Sequence, residues 1–74
     1  MLKHADKYKQ LGLNISFYRK AAGLTQLQLA ERADISRTYL SNIEAPNVET
    51  PFTTTVLFNI SDALGVDLNK LFSP

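Results

Sequence analysis

The sequence predicts an all-α protein of five short helices, and three observations carry that prediction. Apolar residues recur at helical spacing in segment after segment: Leu11, Ile15, Tyr18 and Ala22, then Leu29, Ala30 and Ala33, then Leu40 and Ile43, then Leu57, Ile60 and Leu64. Helix-starting residues precede these segments (Thr25, Ser36, Thr50-Pro51 and Asp67), and residues that accept a left-handed backbone close them (Gly23, Asp34 and Gly65). Size is the third. A chain of 74 residues, 45% of them hydrophobic, makes one small domain with a modest core and little chain left for a second activity.

Taken in order, residues 1–10 are polar and lysine-rich and form either a tail or the first turns of the first helix, with Asp6 as a candidate cap. Residues 11–72 form the folded domain. The first helix runs on its Leu11/Ile15/Tyr18/Ala22 stripe to Gly23, a natural left-handed terminator. Thr25 caps the second helix, and Gln28 three residues on completes a capping box. Asp34 makes the turn, Ile35 returns to the core, and Ser36 caps the third helix. That helix has Leu40, Ile43 and Glu44 on one face. Thr38, Ser41, Asn42 and Ala45 occupy the opposite one, with Arg37 at its leading edge. Pro46 ends the helix, because the residue before a proline is pushed out of helical geometry. Asn47 to Thr50 form a loop. Thr50 then caps a fourth helix with Pro51 at its first position. Leu57, Ile60 and Leu64 set its inner face, Ala63 lies at the side, and Gly65 stops it. Asp67 caps a last short helix whose Leu68, Leu71 and Phe72 close the core.

The run Thr25-Gln26-x-x-Leu29-Ala30, followed by Ile35-Ser36-x-x-Tyr39-Leu40-Ser41-x-Ile43-Glu44, resembles the phage repressor/Cro-like helix-turn-helix family of the XRE type. The likeness extends upstream to Tyr18-Arg19-Lys20-x-x-Gly23-Leu24 and downstream to Leu57-x-x-Ile60-x-x-x-Leu64-Gly65-Val66, so it spans roughly Leu11 to Phe72. Two positions depart from the family pattern: Asp34 stands where a glycine is usual, and Ala45-Pro46 replaces a glycine soon after Glu44. The resemblance implies a compact five-helix, lambda-repressor-like domain whose second and third helices form the helix-turn-helix. It also implies a partner for Arg19, which lies next to the apolar stripe of the first helix. Arg19 faces Glu44, and the two form a partly buried ion pair; a surface arginine lying along the helix is the alternative.

Composition excludes several function classes. There is no cysteine, hence no disulfide, thiol chemistry or Cys-based zinc site, which fits a cytoplasmic protein. No apolar run approaches the ~18 residues of a membrane span, and Met1-Leu2-Lys3-His4 lacks the apolar stretch of a signal peptide. The lone His4 sits in the polar N-terminal stretch, and neither a glycine-rich phosphate loop nor a metal-spaced cluster occurs. No catalytic residue, metal or cofactor is therefore expected. Net charge is only +1, but it is polarised. Residues 1–40 hold seven basic and three acidic side chains, for +4, and residues 41–74 hold one basic and four acidic, for −3. A basic face toward phosphate is one reading of that map and ordinary solvated charge is the other.

Duplex DNA is the partner that these residues add up to. In the fold that the resemblance implies, the N-terminal end of the third helix enters the major groove while the second helix crosses the backbone. Arg37 can donate two hydrogen bonds to guanine, Asn42 can pair with adenine, and Thr38 and Ser41 offer hydroxyls, Thr38 also a methyl for thymine. By its place in the family motif Gln26 is similar to a glutamine that anchors on phosphate. Tyr39 lies at the flank, its ring packing and its hydroxyl reaching toward the DNA backbone. Thr53 and Thr54, near the start of the fourth helix, are further phosphate candidates.

Some apolar residues remain outside the expected core. Leu13 and Phe17 fall off the stripe of the first helix, Phe58 falls about 100° from the inner face of the fourth, and Phe52 sits in its exposed-looking start. Phe58 with Phe52 is the expected homodimer interface, and Leu13 with Phe17 is the competing patch. A homodimer lets two third helices read two half-sites, as a repressor or a restriction–modification controller does. The alternative is a protein-interaction module, such as an antitoxin holding a toxin. An acidic or broadly apolar outer face on the third helix would favour that alternative, and this face is neither.

Overall fold

The computed structural model describes residues 3–46 and 50–73, and within them the chain forms five helices: α1 (Ala5–Ala21), α2 (Gln26–Ala33), α3 (Arg37–Glu44), α4 (Thr54–Leu64) and α5 (Leu68–Phe72). Each helix supplies one fully buried large side chain: Ile15, Leu29, Leu40, Ile60 and Leu71 in turn. Burying such a side chain contributes roughly 1.5–3 kcal/mol, so all five helices are held by one shared centre. Around it, α2 packs on α3 and α4, while α1 packs on α3 and α5.

Local chemistry sets most of the helix ends. Gly23 takes φ 73°, and Leu24 N–H donates to the Arg19 carbonyl (3.1 Å) while Gly23 N–H donates to Lys20 (3.0 Å), which closes α1 in a Schellman turn. Thr25 and Gln28 form the reciprocal capping box of α2, at 3.1 and 2.8 Å. Asp34 is left-handed at φ 58°, and Ser36 Oγ accepts from Tyr39 N–H at 3.0 Å. Glu44 is the last residue of α3, with Ala45 extended before Pro46, as the proline rule requires. Of the loop expected over Asn47 to Thr50, residues 47–49 lie outside the described residues.

Several expectations are corrected. The cap position of α1 is held by His4 at φ 65° without a side-chain hydrogen bond; Asp6 lies inside the first turn, where its charge suits the helix dipole instead. The buried line of α1 is Gly12, Ile15 and Arg19, with Tyr8, Leu11 and Tyr18 half-buried beside it and Ala22 exposed. The sequence stripe followed apolar side chains and so passed over a glycine and an arginine. The fourth helix starts later than Thr50-Pro51: Thr53 is its cap, accepting from Val56 N–H at 3.2 Å. Phe52 explains the delay. Its ring turns into the core edge-on to Tyr8, with centroids 5.3 Å apart, and residues 50–53 ahead of the helix are non-helical. Phe52 is thus a core residue rather than an exposed one, whereas Phe72, expected in the core, is 60% exposed. Asp67 stands before α5 but makes no side-chain cap bond.

Two polar side chains fasten the C-terminal part. Ser61, buried in α4, donates to the Val66 carbonyl at 2.6 Å and fixes the turn at Gly65. Asn14 of α1 donates to the Leu71 carbonyl at 2.8 Å and to that of Ser73, which holds α5 across the first helix.

Candidate nucleic-acid interface

The α2–turn–α3 unit forms one rigid corner. Ile35 N–H donates to the Ala30 carbonyl (3.0 Å) and Asp34 N–H to that of Glu31 (3.3 Å), so the turn is closed by its own backbone. Leu29, Ala30 and Ala33 on α2 and Leu40 and Ile43 on α3 are buried, which fixes the roll of both helices. With that inner face committed, helical geometry leaves Arg37, Thr38, Ser41 and Asn42 within one outer arc of about 140°. Arg37, Thr38 and Asn42 are exposed and Ser41 is half-buried. None of the four side chains has a hydrogen-bond partner among the described residues, so their donors and acceptors are all on offer.

The remaining candidates are partly engaged. Tyr39 is half-buried, and its hydroxyl donates to the Pro51 carbonyl across a long 3.4 Å contact. Burial first, and the neighbouring Tyr8 second, push that hydroxyl above the ordinary tyrosine range, so it stays protonated. Thr53 is exposed, but its oxygen serves the backbone of α4, which leaves only its O–H to give. Thr54 is exposed in the first turn of that helix.

Behind the outer face lies the Arg19–Glu44 pair. Arg19 Nε donates to Glu44 Oε2 (2.9 Å) and Oε1 (3.2 Å), and Nη2 donates to Oε1 (2.9 Å). Nη1 donates to the Leu24 carbonyl at 2.9 Å, just ahead of the α2 cap. Both side chains are buried, with residue exposures of 9% and 8%. Gln26, half-buried at the first position of α2, donates from Nε2 to Glu44 Oε1 at 3.1 Å. These residues line a polar pocket of about 270 Å³ with Ser16, Lys20 and Ser41. Sequence reasoning missed what brings α1 so close to α3. A Cβ built on Gly12 would lie 2.0 Å from the Ile43 carbonyl oxygen, so the two backbones touch there and only glycine fits. A glycine two turns before Arg19 on the same helix face was the available signal.

Comparison with known proteins identifies the family and the fold. Residues 15–71 match the model of the helix-turn-helix family. The chain belongs to that family. The five-helix, all-α fold of its described residues is that of XRE-type regulators. Over 61 residues, 82% of its length, it is 38% identical to the immunity repressor protein of Bacillus phage phi105, and it spans 41% of that repressor. Over 69 residues it is 35% identical to an uncharacterised HTH-type transcriptional regulator of Sinorhizobium fredii, covering 93% of this chain and 87% of that one. Among solved structures it superposes on SinR, a master regulator for biofilm formation, in complex with DNA, with a TM-score of 0.77 at 35% identity over 85% of this chain and 98% of that one. No described helix is long and apolar enough to cross a membrane.

Proposed function

We propose that this helix-turn-helix chain binds duplex DNA sequence-specifically and regulates transcription, as a homodimer that sets two copies of α3 into the major groove of a two-half-site operator. The observation that carries the reading is the outer arc of α3: four side chains with base-reading chemistry, free of partners among the described residues, on a helix whose other face is locked. Arg37 reads guanine, Asn42 adenine, and Thr38 and Ser41 the neighbouring edges. Gln26, Thr54 and the O–H of Thr53 hold phosphates, and Tyr39 reaches one only by releasing Pro51. The relatives support this reading, since one is a repressor and another was solved on DNA. No cofactor takes part, and on this reading the protein works in the cytoplasm beside the DNA. Duplexes recovered from a random pool and sequenced should converge on two related half-sites about one helical turn apart, ~34 Å. Recovery without any preferred sequence would overturn the reading.

The dimer surface follows from what DNA leaves free. With α2 and α3 on the DNA, α4 and the segment after it are the favoured elements, and Phe58 is the large apolar residue of α4 that faces away from the core, 47% exposed. Phe52, buried against Tyr8, has little surface left for a partner. The competing patch is Leu13 and Phe17, 49% and 65% exposed. Sedimentation at micromolar concentration separates them: Phe58→Ser is expected to give monomers while Leu13→Ser still dimerises. The reverse pattern moves the interface to α1.

A further inference from the structure

We infer that Glu44 is a positioning residue for DNA binding as well as a structural one: it holds the side-chain amide of Gln26 in the orientation that meets the DNA backbone. This rests on the reading of Gln26 as a phosphate anchor. The observation is the 3.1 Å hydrogen bond from Gln26 Nε2 to Glu44 Oε1, made by a carboxylate that is itself clamped by the Nε and Nη2 atoms of Arg19. A primary amide carries two N–H bonds in one plane. When one is committed to a fixed carboxylate, the plane of the amide is set and the second N–H points in a defined direction. A free glutamine side chain at the start of a helix would instead spread over several rotamers and lose that freedom on binding.

The surroundings agree with this role. Besides the Arg19–Glu44 pair, the pocket that holds the Gln26 amide is lined by Ala45 and Pro46 and by Ser16, Lys20 and Ser41, whose ammonium and two hydroxyls can donate to an anion. A carboxylate in such a place would repel a phosphate unless its charge were offset. Arg19 offsets it, from the buried side, while also fixing the Leu24 carbonyl next to the α2 cap. One guanidinium therefore sets both the start of α2 and, through Glu44, the side chain at its first position.

Charge and positioning predict opposite signs, which makes the inference testable. Glu44→Gln removes a negative charge near the DNA, and Coulomb attraction alone would then tighten binding. Positioning predicts weaker binding, because the new amide offers one oxygen to three N–H donors, Arg19 Nε and Nη2 and Gln26 Nε2, and turns an NH2 group toward the guanidinium, so Gln26 loses a clamped acceptor of its own. The probe is a fluorescein-labelled duplex of random sequence, read by anisotropy at low temperature with each variant checked for helix content. Gln26→Ala is expected to weaken binding by about two- to tenfold, the range for one hydrogen bond. Glu44→Gln should weaken it by a similar factor, and the double variant no more than Gln26→Ala alone. Unchanged or tighter binding by folded Glu44→Gln, or additive losses in the double variant, would overturn the inference. If Glu44→Gln does not fold, the wild-type protein decides: on adding the duplex, one of the two Gln26 side-chain amide protons should shift far more than the other, and equal or absent shifts would overturn it. Unchanged binding by Gln26→Ala, with Arg37→Ala still weakening a selected duplex, removes the anchor and leaves α3 as the reader. If neither variant changes binding, the DNA reading itself falls.

Discussion

Glu44→Ala is expected to destabilise the fold by about 3–5 kcal/mol, because it leaves the Arg19 guanidinium buried without its counter-charge. The magnitude follows from burial rather than from the number of bonds. An exposed pair of the same geometry would contribute at most ~1 kcal/mol, but here both side chains are about nine-tenths buried, so water reaches them only from the pocket mouth and replaces the lost carboxylate poorly. A domain of 74 residues has a total stability of roughly 4–11 kcal/mol, so the variant should approach unfolding at physiological temperature. Gln26 adds to the loss, since its amide also donates to Glu44. In a urea-melt cycle, Arg19→Ala and Glu44→Ala should each be severe, and the double variant should lose less than their sum. A loss under ~1 kcal/mol for Glu44→Ala, or additive losses, would mean that the pair does not hold α1 to α3.

Gly12→Ala is expected to be destabilising as well, against the rule that alanine improves a helix. Alanine is better than glycine in a helix interior by about 1 kcal/mol. At Gly12 the added methyl would lie 2.0 Å from a backbone oxygen of Ile43, far inside contact distance, and a backbone carbonyl cannot swing away as a flexible side chain can. Overpacking of this kind costs about 1–3 kcal/mol and occasionally more. Relief requires α1 to move away from α3, which also draws Arg19 from Glu44 on the same face. A net loss of up to about 2 kcal/mol in a denaturant melt, the overpacking cost less the propensity gain, is the expected result. A gain of about 1 kcal/mol, the propensity value alone, would contradict the close approach of the two helices.

How far the sequence was legible depends on whether a feature is decided locally. Thr25 with Gln28, Ser36, Gly23, Asp34 and Gly65 all act within a turn of chain, and each sits in the structure where its chemistry demands. The start of α4 was misread because Thr50 and Thr53 are both acceptable caps. The choice between them is made by Phe52 packing on Tyr8 of α1, a contact that nothing near Thr50 announces. Phe52 and Phe72 exchanged places for a related reason. Both lie beside short or irregular stretches, where periodicity says little about direction. Gly12 was invisible to a reading that follows apolar side chains. Arg19 and Glu44 were legible as a pair only through family resemblance, and Gln26 as a third member through neither route, because a hydrogen bond between α2 and the end of α3 depends on tertiary placement. The outer face of α3 was legible as what remained once Leu40, Ile43 and Glu44 had been assigned inward.

Whether α3 reads base sequence from its outer arc is tested most directly by measuring the affinity of Arg37→Ala for the selected operator and for a scrambled duplex at one salt concentration. Arg37 is exposed and unpaired among the described residues, so the substitution leaves the core and the Arg19–Glu44 clamp untouched. On the operator it should lose about 1–3 kcal/mol, with selection relaxed at one base pair per half-site, and on scrambled DNA the loss should be smaller. Gln26→Ala in the same assay should weaken both duplexes about equally, as expected of a phosphate contact. Unchanged affinity of Arg37→Ala for both DNAs would contradict the account.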